Sequence, residues 1–308
     1  MVEPTGIRVI VGYDGSPAST TAIEAGARLF PGAQAWITHL WTPPFASEEM
    51  RRRLWRGTAH VNEFVAAVER EGRFEADRVA GVGTTLARAA GWEAEPLVER
   101  SFGGEGLQFT QLAEKLRPDL VLLGSRGLGG AKAVLGSVSD MVVHYSPAPV
   151  LVLPHPLLID EYEALADGPV VIGWDDSDGA RSALAAVERL FPEREKVLVA
   201  VGERGDHLAG PDPQRDAVDG GHRSEAPGSA DPEDRVVVRL PAGRGASARA
   251  VAEVLAGDAR ERKAAMVAVG SRGRSMIREI LLGSVAMATL HRAHRPVLVV
   301  PGNRSGDA

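Results

Sequence analysis

The sequence predicts two α/β domains, each a doubly wound parallel sheet with helices on both faces. Three observations lead to this fold class. Two blocks of sequence occur twice in the same order, apolar runs alternate with helical stretches within each copy, and those runs are almost continuously apolar. Strands of that kind are typical of a parallel sheet buried on both faces. Repeated blocks in a fixed order indicate one domain that has been duplicated.

The first block of the repeat opens each copy. Residues 10–16 (IVGYDGS) correspond to residues 171–177 (VIGWDDS) at an offset of 161. The second block is Gly-Ser-Arg-Gly, at residues 124–127 and again at 270–273. Each copy then continues through Gly-Ser-Val and closes on Pro-Val-Leu-Val. The predicted organisation is a domain at 1–154, a linker at 155–168, a domain at 169–301 and a tail at 302–308.

Each element of the first copy follows from a local pattern. Residues 7–11 form an apolar run that predicts a buried strand. Ser16 followed by Pro17 is typical of an N-cap and first helical position, and apolar residues then recur at helical spacing. The later apolar runs predict four more strands, near residues 35–40, 97, 120–123 and 150–153.

The segments between these strands differ between the copies. In the first copy, residues 48–56 and 62–90 look largely helical, although Gly81 and Gly83 weaken the second stretch. In the second copy, residues 202–234 are rich in Gly, Pro and Asp without an apolar period, which predicts a long flexible loop and a tolerated surface insertion. In the linker, the apolar residues suit a short packed helix; they are Leu157, Leu158, Tyr162 and Leu165.

Composition excludes several classes of protein. The formal net charge is −6, from 35 Lys and Arg against 41 Asp and Glu, so no excess of positive charge predicts nucleic-acid binding. The absence of cysteine excludes disulfides, thiolate metal sites and a cysteine nucleophile. Apolar runs are far shorter than a membrane helix, and the first residues lack a signal-peptide pattern. We expect a soluble, cytoplasmic protein that binds neither membrane nor nucleic acid.

The chemistry-bearing residues follow the ends of strands. Asp14 and Asp175 directly follow the first strand of their copies, and the Gly-Ser-Arg-Gly blocks directly follow the fourth. In doubly wound sheets, ligands bind beyond the carboxyl ends of the strands, where strand order reverses. Glycine lets the backbone approach an anion closely, and an ionised aspartate suits ribose hydroxyls or an adenine amino group. The pattern therefore predicts a nucleotide cleft in each domain.

A second glycine signal in each copy supports the phosphate end of that cleft. Gly136-Ser137 and Gly283-Ser284 precede apolar-periodic stretches, so each pair can begin a helix. A helix start offers unpaired N–H groups and a partial positive charge, both suited to phosphate.

Each signal taken singly also has an ordinary structural explanation. A glycine after a strand is more often a turn, a serine before a helix is more often an N-cap, and an aspartate there often caps its own helix. Arg126 and Arg272 occupy the same loop position in both copies. Each arginine either contacts a phosphate or pairs with a nearby carboxylate in solvent. The ordered occurrence of the whole set in two copies is what favours the nucleotide cleft.

The glycine pattern resembles the universal stress protein family in its tandem two-domain form. The family motif is Gly, two residues, Gly, nine residues, Gly and Ser or Thr. The second copy matches it through Gly270, Gly273 and Gly283-Ser284. The first copy has Gly124, Gly127 and Gly136-Ser137, with eight residues in place of nine. The resemblance covers about nine tenths of the chain.

The resemblance implies a fold, a ligand and a set of contacts. It implies a five-stranded parallel sheet in the order 3-2-1-4-5. In ATP-binding members, the aspartate after the first strand and a residue ending the second strand hold adenosine, and the glycine loop with Gly-Ser holds the phosphates. In the first copy these positions are Asp14, Leu40, Gly124, Gly127, Gly136, Ser137 and Val138. In the second copy they are Asp175, Val201, Gly270, Gly273, Gly283, Ser284 and Val285. The resemblance implies ATP as the ligand and is compatible with Mg²⁺ bound beside it.

Each copy departs from the family pattern once. The shorter spacing in the first copy shifts Gly136-Ser137 relative to Gly127 unless Gly129 and Gly130 absorb the difference. In the second copy, Asp176 stands where the first has Gly15. That second carboxylate either repels a polyphosphate or points to solvent. We therefore expect nucleotide binding in at least one domain.

No catalytic residue is predicted. The sequence lacks the nucleophile elbow, the Gly-Lys phosphate loop, the His-Glu-x-x-His helix and the His-x-Gly-His signature of related nucleotidyl transferases. His291 and His294 lie at a spacing that can bind metal, but surface histidines explain them better. The favoured function is a stress-response sensor whose occupancy by ATP is read by a protein partner. The alternatives are a slow ATPase and an interaction scaffold with decayed sites.

The fifth strand suggests how partners pair. Residues 150–153 and 297–300 are apolar, and family members commonly pair through this strand. We expect these two strands to pair within one chain as an internal pseudo-dimer, and further homodimerisation is compatible with the sequence.

Overall fold

The computed structural model describes residues 6–42, 52, 60–125, 135–202, 235–241, 247–271, 273 and 282–302. The chain divides into two compact units and passes from the first to the second between Pro156 and Leu157. Three predicted site residues lie outside the described residues: Arg126, Gly127 and Arg272. The predicted helix at 48–56, apart from residue 52, and the predicted loop beyond residue 202 also lie outside them.

The first unit alternates strands and helices along the chain. Its strands are β1 (Arg8–Gly12), β2 (Gln34–Trp41), β3 (Glu93–Arg100), β4 (Leu120–Gly124) and β5 (Val150–Leu153). Its helices are α1 (Pro17–Leu29), α2 (Val61–Ala89), α3 (Glu105–Leu116) and α4 (Ser137–Tyr145). All neighbouring strands are parallel and follow the order β3-β2-β1-β4-β5. The order reverses between β1 and β4, which is where a doubly wound sheet binds its ligand.

The second unit repeats this arrangement. It begins with the linker helix α5 (Ile159–Ala164) and has the strands β6 (Val170–Trp174), β7 (Lys196–Gly202), β8 (Arg235–Pro241), β9 (Met266–Gly270) and β10 (Val297–Val300). Its longer helices are α6 (Asp178–Leu190), α7 (Ala248–Glu261) and α8 (Ser284–Arg292). The parallel strands follow the order β8-β7-β6-β9-β10. The predicted fold class is therefore confirmed.

The central strands form the core of each unit. Val9, Ile10 and Val11 of β1 are completely buried, as are Val171 and Ile172 of β6. Side chains of a strand point alternately to its two faces, so a continuously buried strand must be covered on both. This burial explains why the apolar runs in the sequence do not alternate with polar residues.

Helix α2 is continuous from Val61 to Ala89, although two glycines lie within it. A Cβ atom on Gly83 would lie 2.6 Å from the ring of Tyr13 and 2.8 Å from Ile37. The glycine lets the helix lie directly on the sheet. Packing against β2 and β3 therefore compensates the low helix propensity of glycine, which costs about 1 kcal/mol relative to alanine.

The linker helix is held by its C-terminal end. Arg194 donates hydrogen bonds to the carbonyl oxygens of Leu165, Ala166 and Gly168. Leu165 is completely buried, whereas Leu158 and Tyr162 are exposed. The predicted short helix is present, but its apolar residues do not all pack, since a helix of six residues buries one narrow face.

No helix among the described residues is long and apolar enough to cross a membrane.

Candidate functional site

The first unit has a cavity at the carboxyl ends of β1, β2 and β4. Its volume is about 240 Å³, and α3 and the start of α4 close its sides. The structure brings together six predicted site residues around it: Asp14, Leu40, Gly124, Gly136, Ser137 and Val138. They come from four separate segments of the chain, and the strand-order reversal between β1 and β4 explains why they meet.

The second unit has a cavity at the corresponding place, with a volume of about 310 Å³. Seven predicted site residues line it: Asp175, Val201, Gly270, Gly273, Gly283, Ser284 and Val285. A Cβ atom on Gly273 would lie 3.1 Å from the Asp175 carboxylate, so the glycine loop and the aspartate are in close contact. The two copies of the repeat therefore build two cavities from matching positions.

The loop after the first strand orients the aspartate in both units. The N–H of Ser16 donates to Asp14 Oδ1 at 3.0 Å, and the N–H of Ser177 donates to Asp175 Oδ1 at 3.1 Å. Each serine also caps the following helix, since its hydroxyl accepts a hydrogen bond from the N–H three residues later. The aspartate is thereby held at the mouth of the cavity by the cap of the next helix.

Asp14 has a perturbed pKa. Partial burial by itself raises the pKa of this carboxyl, but hydrogen bonds from Ser16 and Ser19 outweigh it and hold the pKa below its usual value. Asp14 is therefore ionised at neutral pH and acts only as a hydrogen-bond acceptor. Such a group accepts bonds from hydroxyl or amino groups of a ligand and disfavours its anionic groups.

Each cavity is also lined by a helix N-terminus without a side-chain cap. Gly136 caps α4 with φ −63° and ψ 151°, and Gly283 caps α8 with φ −70° and ψ 151°. The first intrahelical bonds are donated by the N–H groups of Asp140 and Met287. The amides of the preceding first-turn residues have no intrahelical acceptor and carry the positive end of the helix dipole. They can hold a phosphate or another anion.

Each of these helix starts is attached to the strand before it. In the first unit, Ser139 Oγ donates to the carbonyl oxygen of Gly124 at 3.1 Å. In the second unit, the N–H of Gly283 donates to the carbonyl oxygen of Ser271 at 2.6 Å. These two hydrogen bonds differ, but the N-cap glycines have nearly the same φ and ψ despite the different spacing in the sequence. Gly127, from which the shorter spacing is counted, lies outside the described residues.

Gly124 and Gly270 must be glycine for a steric reason. A Cβ atom on Gly124 would lie 2.5 Å from the carbonyl oxygen of Ala18, in the first turn of α1. A Cβ atom on Gly270 would overlap the carbonyl group of Gly179 and lie 2.7 Å from its Cα. These glycines let the helix after the first strand cross directly over the end of the fourth strand. The crossing brings the first turn of each helix into the lining of its cavity.

Asp176 does not line the second cavity. Its backbone has φ 62°, close to the φ of 79° at Gly15 in the first copy. Its Oδ1 accepts a hydrogen bond from the Arg181 guanidinium at 2.8 Å, so its charge is paired. Of the two alternatives for this carboxylate, its position therefore favours the solvent-facing one over repulsion of a polyphosphate.

Asp176→Gly tests this position. We expect the affinity of the second cavity for a nucleotide to change by no more than about twofold, because an exposed ion pair contributes little. We expect the free energy of unfolding to change by less than about 1 kcal/mol, since the relieved left-handed backbone offsets the lost ion pair. Calorimetric titration and denaturant unfolding measure both quantities. A severalfold gain in affinity would show instead that Asp176 acts on the ligand.

Sequence reasoning missed the contribution of the third helix. Glu105 and Phe109 line the first cavity, and Val251 and Leu255 line the second. No motif marks these residues. Their place follows from the crossing of α3 and α7 over the sheet, and helical spacing alone indicates only that each pair shares one face.

Comparisons with known proteins follow the same division of the chain. The model of the universal stress protein family matches residues 7–154 and 168–301. A universal stress protein of Thermus aquaticus is 28% identical over 158 residues, which are 47% of this chain and 96% of that protein. A solved universal stress protein of Archaeoglobus fulgidus, 18% identical, has a TM-score of 0.66 over 97% of this chain and all of its own, and it shows the fold alone. An Arabidopsis thaliana member solved with AMP, 18% identical, has a TM-score of 0.32 over 48% of this chain and 91% of its own.

Proposed function

The chain belongs to the universal stress protein family, with two copies of the domain in tandem, and on this premise we propose that it is a stress-response protein that binds an adenine nucleotide in one or both domains. The observation that carries the proposal is the pair of cavities. Each is lined by an ionised or hydrogen-bonded aspartate and by a helix N-terminus without a side-chain cap.

The chemistry of the lining residues fits a nucleotide. The first-turn amides of α4 and α8 suit the phosphates, and Asp14 and Asp175 suit the ribose hydroxyls or the adenine amino group. Leu40 and Val201, at the ends of the second strands, supply apolar contact for the base. A flat, uncharged base at one end and an anion at the other match this distribution of groups.

We favour ATP as the ligand, with or without Mg²⁺. Bound ATP would supply a measure of the energy state of the cell. The chain's own residues bind and orient the nucleotide, and occupancy alters the surface at the mouth of the cavity that a protein partner contacts. We favour the sensor over a fast ATPase, because the sequence has none of the catalytic motifs named above.

The first experiment is mass spectrometry of the ligand released when the purified protein is denatured. Recovery of about one or two equivalents of ATP per chain would support the sensor and count the working sites. Release of ADP that grows with time would favour the slow ATPase. No recovered ligand, followed by no heat on titration with ATP, ADP, AMP or cyclic AMP, would overturn nucleotide binding and favour the scaffold.

Two further expectations stay predictions. One is the cytoplasmic location, which fractionation of cells would test. The other is the association of chains, including pairing through the fifth strands, which cross-linking and the mass in solution would test.

A further inference from the structure

We propose that Glu105 makes the first cavity favour adenine nucleotides with few phosphates, whereas the second cavity, which has Val251 at the same place, favours the triphosphate. The inference rests on the proposed function and adds to it a division of ligands between the two sites. Its observations are the matching positions of these two residues, the contact between the first turns of α3 and α4, and the charged groups that line the two cavities.

Glu105 and Val251 occupy equivalent places. The offset of 146 that relates Gly124 to Gly270 also relates Glu105 to Val251 and Phe109 to Leu255. The structure supports this alignment, because a Cβ atom on Gly12 would lie 3.3 Å from the Phe109 ring and one on Gly173 would lie 3.2 Å from Leu255. Glu105 and Val251 are one helical turn before these residues, and each lines its cavity.

The helix that carries Glu105 begins beside the first turn of α4, whose amides are proposed to bind the phosphates. A Cβ atom on the next residue, Gly106, would overlap the side chain of Met141 and lie 3.3 Å from the carbonyl oxygen of Val138. The first turn of α3 therefore lies directly against the first turn of α4. Since the unpaired amides of α4 are at that turn and Glu105 lines the same cavity, a phosphate bound there shares the cavity with the Glu105 carboxylate.

The charge of Glu105 has no matched cation among the described residues. Its Oε1 lies 3.4 Å from the hydroxyl of Thr42, which is a neutral group. Among the described lining residues, the first cavity thus has two carboxylates, Asp14 and Glu105, whereas the second has Asp175 alone. Like charges repel in proportion to their number. Each phosphate added to the ligand therefore makes the binding free energy less favourable in the first cavity than in the second.

The size of the effect is limited by solvent. Glu105 is exposed, so water and salt screen its charge. We expect its removal to change the affinity for ATP about three- to tenfold and to leave the affinity for adenosine unchanged.

The test examines one cavity at a time in the full chain. Ser284→Glu places a carboxylate at the start of α8 and blocks the second cavity, and Ser137→Glu blocks the first in the same way. Both serines are exposed, and glutamate is favourable in the first turn of a helix, so these variants should fold. Calorimetric titrations then use ATP, AMP and adenosine, with Mg²⁺ and with EDTA, and thermal unfolding checks each variant.

In the Ser284→Glu background, Glu105→Gln should raise the affinity for ATP about three- to tenfold, the affinity for AMP less, and the affinity for adenosine not at all. In the Ser137→Glu background, Val251→Glu should lower the affinity for ATP by a similar factor. Glu114→Gln is the matched control, because it removes the same charge from an exposed position about 13 Å further along α3. It should have no effect.

Three results would overturn the inference. Equal changes for ATP and adenosine would show that Glu105 acts on the base or on the fold. A loss of ATP affinity in Glu105→Gln that requires Mg²⁺ would show that the carboxylate holds the cation. Binding that is unchanged in both Glu105→Gln and Val251→Glu would show that the two sites do not differ here. Absence of binding by the unaltered protein would instead refute the proposed function.

Discussion

Alanine in place of Gly270 is expected to lower the free energy of unfolding by about 2–4 kcal/mol. The added Cβ would overlap the carbonyl group of Gly179 in the first turn of α6. Backbone on both sides of the contact cannot change rotamer, so the helix must move away from β9. The second cavity lies between these elements and should lose its ligand in the same variant. Urea unfolding and calorimetric titration measure the two effects.

Gly257→Ala is the matched control for this prediction. Gly257 lies inside α7, in the same unit, and a Cβ atom there would meet nothing within 4 Å. We expect this variant to be more stable by about 0.5–1 kcal/mol, because alanine has the higher helix propensity. If Gly270→Ala were as stable as Gly257→Ala, the close crossing of α6 over β9 would not be a constraint on the fold.

Asp14→Asn is expected to weaken nucleotide binding by the first cavity about 10- to 100-fold, and Asp175→Asn to do the same in the second. The change keeps the shape of the side chain but replaces the charged carboxylate, which accepts hydrogen bonds from the ligand, with a neutral amide. In calorimetry, each single variant should lose one site and the double variant should lose both. Asp77→Asn, which removes an exposed carboxylate paired with Arg73 on α2, is the control and should bind normally.

The lowered pKa of Asp14 sets the pH dependence of this effect. Its hydrogen bonds contribute stability that is present above the usual aspartate pKa of about 4 and is lost as the pH falls through the lowered value. Between pH 8 and pH 5 Asp14 therefore stays ionised, and its contribution to binding should be constant. A contribution of Asp14 that faded within this range would contradict the assigned charge state.

Much of the fold was predictable because strand burial is a local property of the sequence. The runs at residues 120–123 and 150–153 are continuously apolar, and both became parallel strands with fully buried side chains. The third strand was harder to locate. Residues 93–100 show no clear alternation of apolar and polar side chains and include four acidic or basic ones. This composition is possible because β3 is an edge strand that is partly solvated.

The continuity of α2 and the packing of the linker were less predictable. Local propensity counts Gly83 against a helix, but the close approach of α2 to Tyr13 and Ile37 requires a residue without a side chain. The apolar residues of the linker predicted more packing than six helical residues provide. In both cases contacts between elements outweighed the local preference.

The sequence by itself determined the duplication and the fold class, and it was enough to predict the candidate site residues. Strand ends and glycine motifs are local signals, and the repeat reinforces them. Only the tertiary structure decided that Glu105 and Val251 face the two cavities, that Asp176 pairs with Arg181, and that Gly124 and Gly270 accommodate a helix. Each of these depends on how one helix crosses the sheet. A crossing is set by long-range packing of whole elements, which no local pattern specifies.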